Sequence, residues 1–392
     1  MVVRLFSPWV GGTERQAQKL AATLARLGVE VRISTGRWFR GTPAIETIAG
    51  VPVLRNHTLW EFFGIRGLRK FGGYLYMVTL AIALWRERDH YDIIHVHGLN
   101  YHTAVCAIVG RRLGKPVVAK LANSGPDSDI AKMRESQQLA GARRLLPAAL
   151  RCDRYVALNT VIVRELVDAG VNPGRVVDIP NGVDESSRAA ERAGPDEALR
   201  VTFVGRLHEQ KDLPTLVRAV SIVEAHRPGL LDVWLVGDGP LRADLEHIVS
   251  DAGLVDRIHF AGQSTNVAGH LDVSHVFTLP SRAEGLSNAL LEAMVAGAAP
   301  VVTRIPGNVD VIDEGHTGLL FDVGDERTLA ETLIRLADDR ELCRRLGRAA
   351  HAAARDRYGL TSIARRYISL YRDMAGTADL LAGQVEVREE TS

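Results

Sequence analysis

Two periods alternate along this chain, and that alternation limits its architecture more than any other feature. Short runs rich in β-branched residues are followed by longer stretches whose apolar positions recur at helical spacing. VVRLF (2–6) opens as a strand, GGTERQAQKLAATLARLG (11–28) reads as a turn into an amphipathic helix, and VEVRIST (29–35) is the next strand. The cycle returns with DIIHVHG (92–98), KPVVAKLAN (115–123) and RYVALN (154–159). Strands separated by helices predict a parallel sheet with right-handed crossovers. The pattern then starts afresh with LRVTFVGRL (199–207), LDVWLVGDG (231–239), RIHFAGQ (257–263), VFTLPS (276–281) and APVVTR (299–304). Two successive sets of this kind predict an α/β chain with two Rossmann-like domains.

The break falls in PNGVDESSRAAERAGPDEAL (180–199), which is rich in Pro, Gly and charge and has no apolar period. The expected division is a first domain over 1–190, including a linker from about 179, and a second over 191–357. A helix over 358–376 and a polar tail over 377–392 follow.

At 392 residues with 48 Lys plus Arg against 47 Asp plus Glu, the chain has no charge excess that would point to nucleic acid. Its three cysteines, Cys106, Cys152 and Cys343, lie far apart and form no CxxC pair. A disulfide scaffold or zinc cluster is therefore not expected, and a reducing cytoplasm fits. MVVRLFSPWVGG has no apolar core of signal-peptide length. The most lipid-like stretch, Tyr74–Trp85, has 12 residues, against about 20 for a bilayer span. Arg66, Arg69 and Lys70 precede it. That mixture suits docking on anionic lipid at the inner face of a membrane; the plainer reading is a basic loop ahead of a helix buried on the sheet.

The chemistry concentrates in SRAEGLSNALLEAMVAGAAPVV (281–302). Gly285 permits a close turn, Ser287 or Asn288 can cap a helix, and the N–H groups of Gly285, Leu286 and Ser287 offer an anion site. Glu284 precedes the helix and Glu292 lies in its second turn, where carboxylates can hold sugar or ribose hydroxyls. Arg206 and Lys211 follow a glycine turn after VTFV, at the strand edge where open α/β sheets bind ligands. Two cations there can neutralise a diphosphate leaving group without a metal. In the first half, Gly11 and Gly12 precede a helix and permit close approach to phosphate. His95 and His97 share one face of their strand, with His97 nearer the C-terminal edge. The G-x-G-x-x-G dinucleotide fingerprint is absent.

With these motifs in order, the chain resembles the group 1 (family four) retaining glycosyltransferases of the GT-B fold. Glu284 and Glu292 match the E-x7-E motif, with EAMVAGAAPVV after it. Gly205, Arg206 and Lys211 match GR-x4-K, while Gly11–Gly12, His95/His97 and Asn181–Asp184 match the glycine loop, HxH and NGVD. Where many relatives carry a glycine pair, this chain has IPGNVDVIDEG (305–315), and KLANSG (120–125) stands where an HG-type turn is common.

The resemblance implies two domains facing a central cleft, with the C-terminal helix crossing back to the first, and metal-free sugar transfer from a nucleotide-sugar, UDP-linked above all. By similarity Glu292 holds the ribose, Arg206 and Lys211 the diphosphate, and Glu284 with Gly285, Leu286 and Ser287 the donor sugar. Gly11 and Gly12 close over the phosphates, His97 contacts the sugar, and Gly262 and Gln263 hold the base. His97, Glu284, Arg206 and Lys211 are thus the expected catalytic set. The acceptor is expected to be a glycan, a lipid-linked sugar or a small molecule. The alternatives are a nucleotide-sugar epimerase or hydrolase on a similar fold, or a sugar-nucleotide binder without catalysis.

Overall fold

In a computed structural model of the chain, the β-branched runs pair edge to edge as strands. The structure describes residues 1–8, 11–58, 69–125, 128–136, 139–184 and 198–376. The chain divides into two units, Met1–Gly182 with Leu360–Ser392, and Val183–Gly359. The first boundary lies ahead of the expected residue 190. Val183 already belongs to the second unit, where its N–H bonds Tyr358 O and the residue bridges Gly359. The rest of the expected linker, 185–197, and the polar tail, 377–392, lie outside the described residues.

Unit 1 holds β1 (Val2–Val3), β2 (Ile33–Gly36), β3 (Ile45–Ile48), β4 (Val51–Asn56), β5 (Ile94–His97), β6 (Val117–Lys120), β7 (Arg154–Ala157) and β8 (Val176–Asp178). They form one sheet in the order β3-β4-β2-β1-β5-β6-β7-β8, parallel except for the β3–β4 hairpin. β1 is shorter than VVRLF suggests. The carbonyl of Arg4 takes side-chain donors instead of ladder bonds, from Trp38 Nε1 at 2.7 Å and Thr35 Oγ1 at 3.3 Å. The strand therefore ends well before Gly11, which caps the Gly12–Arg26 helix.

The hairpin turns on Ala49 and Gly50, both at positive φ (50° and 78°). This is the two-residue geometry that matches strand twist.

Two helices cover one face of this sheet. Gly12–Arg26 buries Gln16, Ala17, Leu20, Ala21 and Leu24, and Leu360–Ala375 buries Ile363, Ala364, Tyr367, Leu370 and Tyr371. Both follow the helical apolar period. They meet Val118, Val156 and Ile179 in one cluster, where each large side chain removed from water contributes about 1.5–3 kcal/mol. The Arg69–Arg86 helix is only half buried. Tyr76, Leu80 and Leu84 face inward, while Tyr74, Val78, Ile82 and Trp85 stay exposed. Arg66 lies outside the described residues, as do the side chains of Arg69 and Lys70. No helix among the described residues is long and apolar enough to cross a membrane.

Unit 2 holds β9 (Leu199–Val204), β10 (Leu231–Val236), β11 (Ile258–Gly262), β12 (Val276–Leu279), β13 (Ala299–Thr303) and β14 (Leu319–Phe321). They form an all-parallel sheet in the order β11-β10-β9-β12-β13-β14. Counted within the unit this is 3-2-1-4-5-6, the doubly wound order whose direction reverses between its first and fourth strands. In unit 1 the same reversal falls between β1 and β5.

Candidate active site

In open α/β sheets the loops at the reversal splay apart and leave a crevice. In unit 2 those loops follow β9 and β12, and they carry the sequence-predicted cations and carboxylate. Arg206 stands exposed just after β9. Lys211 ends the single turn Glu209–Lys211 and forms an ion pair with Glu284, from the loop after β12. Ser281 Oγ donates to the same carboxylate oxygen at 2.7 Å. The pair is largely out of water, with the two side chains 18% and 9% exposed. Lys211 and Glu284, expected to act on diphosphate and on sugar separately, thus hold one another in this structure.

The two loops are also tied through backbone. Arg282 N–H donates to Gln210 O at 2.9 Å, Gln210 Nε2 to Ala283 O at 2.7 Å, and Arg282 pairs with the buried Asp212. Thr303 Oγ1, at the end of β13, donates to Ser281 O at 2.6 Å. Sequence reasoning passed over Gln210, Asp212, Ser281 and Thr303, because none occupies a defining position of a motif; their role appears only once the strands are neighbours.

Glycines let the loops stack this closely. A Cβ on Gly237 would lie 1.8 Å from Gly205 O, and one on Gly307 would lie 2.6 Å from Gly285 O. In IPGNVDVIDEG, then, Gly307 alone makes the close approach.

The motif helix forms at Asn288–Ala296, where Ser287 Oγ accepts from Leu290 N at 3.3 Å and Gly297 ends it in the left-handed conformation. Leu286 and Ser287 are buried, Gly285 and Glu292 half-buried. Gly262 ends β11 at φ 69°, and Gln263 beyond it is exposed.

In unit 1 the corresponding reversal carries His97, last residue of β5. His95 and His97 are both buried and stacked, ring centroids 4.4 Å apart, and His95 stacks in turn on Tyr367 at 5.1 Å. Tyr371 Oη meets His95 Nδ1 at 2.7 Å. Neither ring nitrogen of His97 has a hydrogen-bond partner among the described residues. Burial drives both histidines well below the ordinary range, and the neighbouring Lys120 adds to this, so both are neutral near pH 7. Lys120 ends β6 in register with His97, and burial alone brings its amine down to about 7.

The loops after β5 and β6 are pinned by Asp129, which accepts from Ala122 N at 3.0 Å, Asn123 Nδ2 at 2.8 Å and Leu99 N at 3.5 Å. Asn123 and Ser124 are accordingly tied to their own unit, Ser124 through Asn159 Nδ2 at 3.4 Å. Gly11 caps and Gly12 starts the helix whose Gln16 donates to Gly182 O at 2.9 Å, so the glycine loop is joined to Asn181–Gly182, the part of NGVD that lies in unit 1.

Family models match both units, one described as glycosyl transferases group 1 over residues 198–339 and one as glycosyltransferase family 4 over residues 10–187. The chain is 31% identical over 405 aligned residues to a D-inositol 3-phosphate glycosyltransferase of Kineococcus radiotolerans, with 92% of this chain and 90% of that one covered. This chain is a group 1 glycosyltransferase. The enzyme is also 26% identical to an N-acetyl-alpha-D-glucosaminyl L-malate synthase of Bacillus anthracis, over 94% of its own length and 95% of the relative's.

Solved structures resemble this glycosyltransferase in fold. Sucrose-phosphate synthase of Thermosynechococcus elongatus superposes with a TM-score of 0.76 at 20% identity (96% of this chain, 99% of that one). HepE of Anabaena in complex with UDP gives 0.73 at 17% (95% and 99%). The fold is of the GT-B class.

Proposed function

We propose that this glycosyltransferase moves a hexose-type sugar from a nucleotide-sugar, with UDP as the favoured nucleotide, and retains the anomeric configuration. The reading rests on one observation: Arg206 and the Lys211–Glu284 pair stand together at the reversal of the unit 2 sheet. A cationic group at that position stabilises the charge that develops on a departing diphosphate. Solved structures of Anabaena HepE contain UDP and UDP-glucose, which favours uridine.

In the reaction the C1–O bond to the diphosphate breaks, a new C1–O bond to the acceptor oxygen forms on the same face, and the acceptor proton passes to the departing phosphate. Glu284 does not serve as a covalent nucleophile in this scheme, since one of its oxygens already holds Lys211 and Ser281. Glu292 holds the ribose, Gly262 and Gln263 the base, and Gly11, Gly12 and His97 contribute from unit 1. The amides of Gly285, Leu286 and Ser287 face the donor. No metal takes part; Arg206 and Lys211 fill its role. Two full-length relatives are named for small acceptors, inositol 3-phosphate and L-malate, which favours a small molecule over a glycan or a lipid-linked sugar. Contact with the inner membrane face, through the exposed Tyr74, Val78, Ile82 and Trp85, belongs to the same proposal.

The test is a thermal-shift and turnover screen of the purified chain against UDP-, GDP- and ADP-sugars. A shift with UDP-sugars that disappears in Glu292→Ala is expected, and no shift with any nucleotide-sugar overturns the donor reading. An inverted anomeric centre in the product, read by NMR, overturns retention. Donor turned over to an epimerised or free sugar, without transfer, would move the enzyme to the epimerase or hydrolase class. Binding without turnover would leave a binder.

A further inference from the structure

Unit 1 buries a lysine amine with no counter-charge among the described residues. The sequence has six lysines against 42 arginines, so lysine is the exception wherever a cation is needed. Of the six, Lys120 ends β6 and Lys211 stands in the loop after β9, where it has Glu284. Lys120 is 5% exposed and has no ion-pair partner among the described residues.

No carboxylate among the described residues pairs with Lys120, and burial alone acts on its amine. Asp129 is taken up by the donors of Ala122, Asn123 and Leu99, and Glu165 accepts from Gly125 N at 2.7 Å. What Lys120 does have is the ring of Tyr367, 5.6 Å from its Nζ. A ring quadrupole offsets only part of an ammonium's lost hydration. Beside it, in register on the same face of the sheet, stands His97, whose buried ring nitrogens have no hydrogen-bond partner among the described residues. Lys120 itself helps to hold the His97 ring in its neutral form. Two neighbouring strand ends thus present a basic amine and an unpartnered imidazole with no acid among the described residues to receive them, and a neutral hydroxyl would not supply a counter-charge.

We propose that Lys120 receives an anionic group, a phosphate or a carboxylate, carried by the acceptor substrate. That the group belongs to the acceptor rests on the reading of unit 1 as the acceptor half of a glycosyltransferase; the anion site itself does not. The ligand brings the counter-charge that the chain omits, so selectivity for charged over neutral acceptors resides at this residue.

The experiment is calorimetric titration of the full chain with inorganic phosphate and, separately, with malonate. UDP is present throughout, chloride keeps the ionic strength constant, and the pH keeps the ammonium protonated. Wild type is expected to bind at least one of the two anions, and Lys120→Met to bind it at least about tenfold more weakly, while UDP binding is unchanged. The preferred anion tells phosphate from carboxylate. Equal binding by wild type and variant, or no binding by wild type in the tens of millimolar, overturns the proposal. If UDP fails to bind while phosphate still requires Lys120, the donor reading falls and the anion site stands.

Should the variant fail to fold, acetylation of the wild-type chain read by peptide mass spectrometry gives the same answer. The anion slows labelling of Lys120 several-fold relative to Lys132, and equal labelling with and without it refutes the site.

Discussion

Replacing Lys120 by methionine keeps a stem of similar length against Tyr367 and removes the buried charge, so its effect on stability follows from the structure. In the folded chain burial brings the amine from 10.5 to about 7. At about 1.36 kcal/mol per pH unit this penalises the charged native form by about 5 kcal/mol, and by about 2–5 kcal/mol once water reaching the amine is allowed for. Below pH 7 both folded and unfolded chains bind the proton, and the native state bears the whole penalty. Between 7 and 10.5 only the unfolded chain binds it, so stability rises with pH; above 10.5 the penalty is gone.

The assay is reversible urea unfolding followed by tryptophan fluorescence, since Trp9, Trp38, Trp60 and Trp85 precede the unit boundary and only Trp234 follows it. The Met1 amine, lowered by burial to about 6, and the depressed His95 and His97 act in the same direction. The Met1 amine is present in both proteins and cancels in the difference, whereas the part of the histidine depression that Lys120 causes is lost with it and adds to the variant's advantage at low pH. Lys120→Met is expected to be the more stable protein near pH 7, with the two curves converging toward pH 10. A difference that does not vary with pH, or a variant less stable throughout, refutes the reasoning.

Tyr371→Phe leaves His95 buried without its hydroxyl partner and is expected to destabilise unit 1 by about 1–3 kcal/mol in the same urea assay, with UDP binding unchanged. Gly237→Ala drives a methyl into the Gly205 carbonyl at a φ of 144°; loss of UDP binding or of soluble protein is expected, and wild-type behaviour would contradict the stacked-loop geometry. Arg206→Ala should lower turnover at least tenfold, about 1.4 kcal/mol, and it is cleaner than Lys211→Ala, which would also orphan the Glu284 carboxylate. EDTA should leave activity intact; loss restored by Mn²⁺ would overturn the metal-free scheme.

The motif-bearing strands were legible in the sequence because each buried parallel strand is a short apolar run and each crossover a helical period. The β3–β4 hairpin was not, since its turn is Ala49–Gly50 and lacks the Asn-Gly or Asp-Gly signature. β8 and β14, of three residues each, fall below any useful window. Of the site, the types and positions of Arg206, Lys211 and Glu284 could be read, whereas the ion pair that joins two of them depends on β9 and β12 being neighbours. The burial of Lys120 was hidden for a related reason. A lysine after VVA reads as a strand end meeting solvent, and only the Leu360–Ala375 helix, distant in sequence, brings Tyr367 over it.

That helix also makes unit 1 a body written in two separate pieces of chain. During synthesis Leu20, Leu24, Val118 and Val156 leave the ribosome without the side chains that cover them in the finished protein, since Ile363, Tyr367 and Leu370 come after the whole of unit 2. At about 5–20 residues per second, roughly 10–35 s separate the end of the first piece from the start of the second. Unit 2, continuous in sequence, has time to finish first although its codons come later. The N-terminal piece must spend that interval with an apolar face open to water, where chaperones bind and neighbouring nascent chains aggregate. A message cut short before codon 360 would therefore yield one sound unit tethered to one that cannot close.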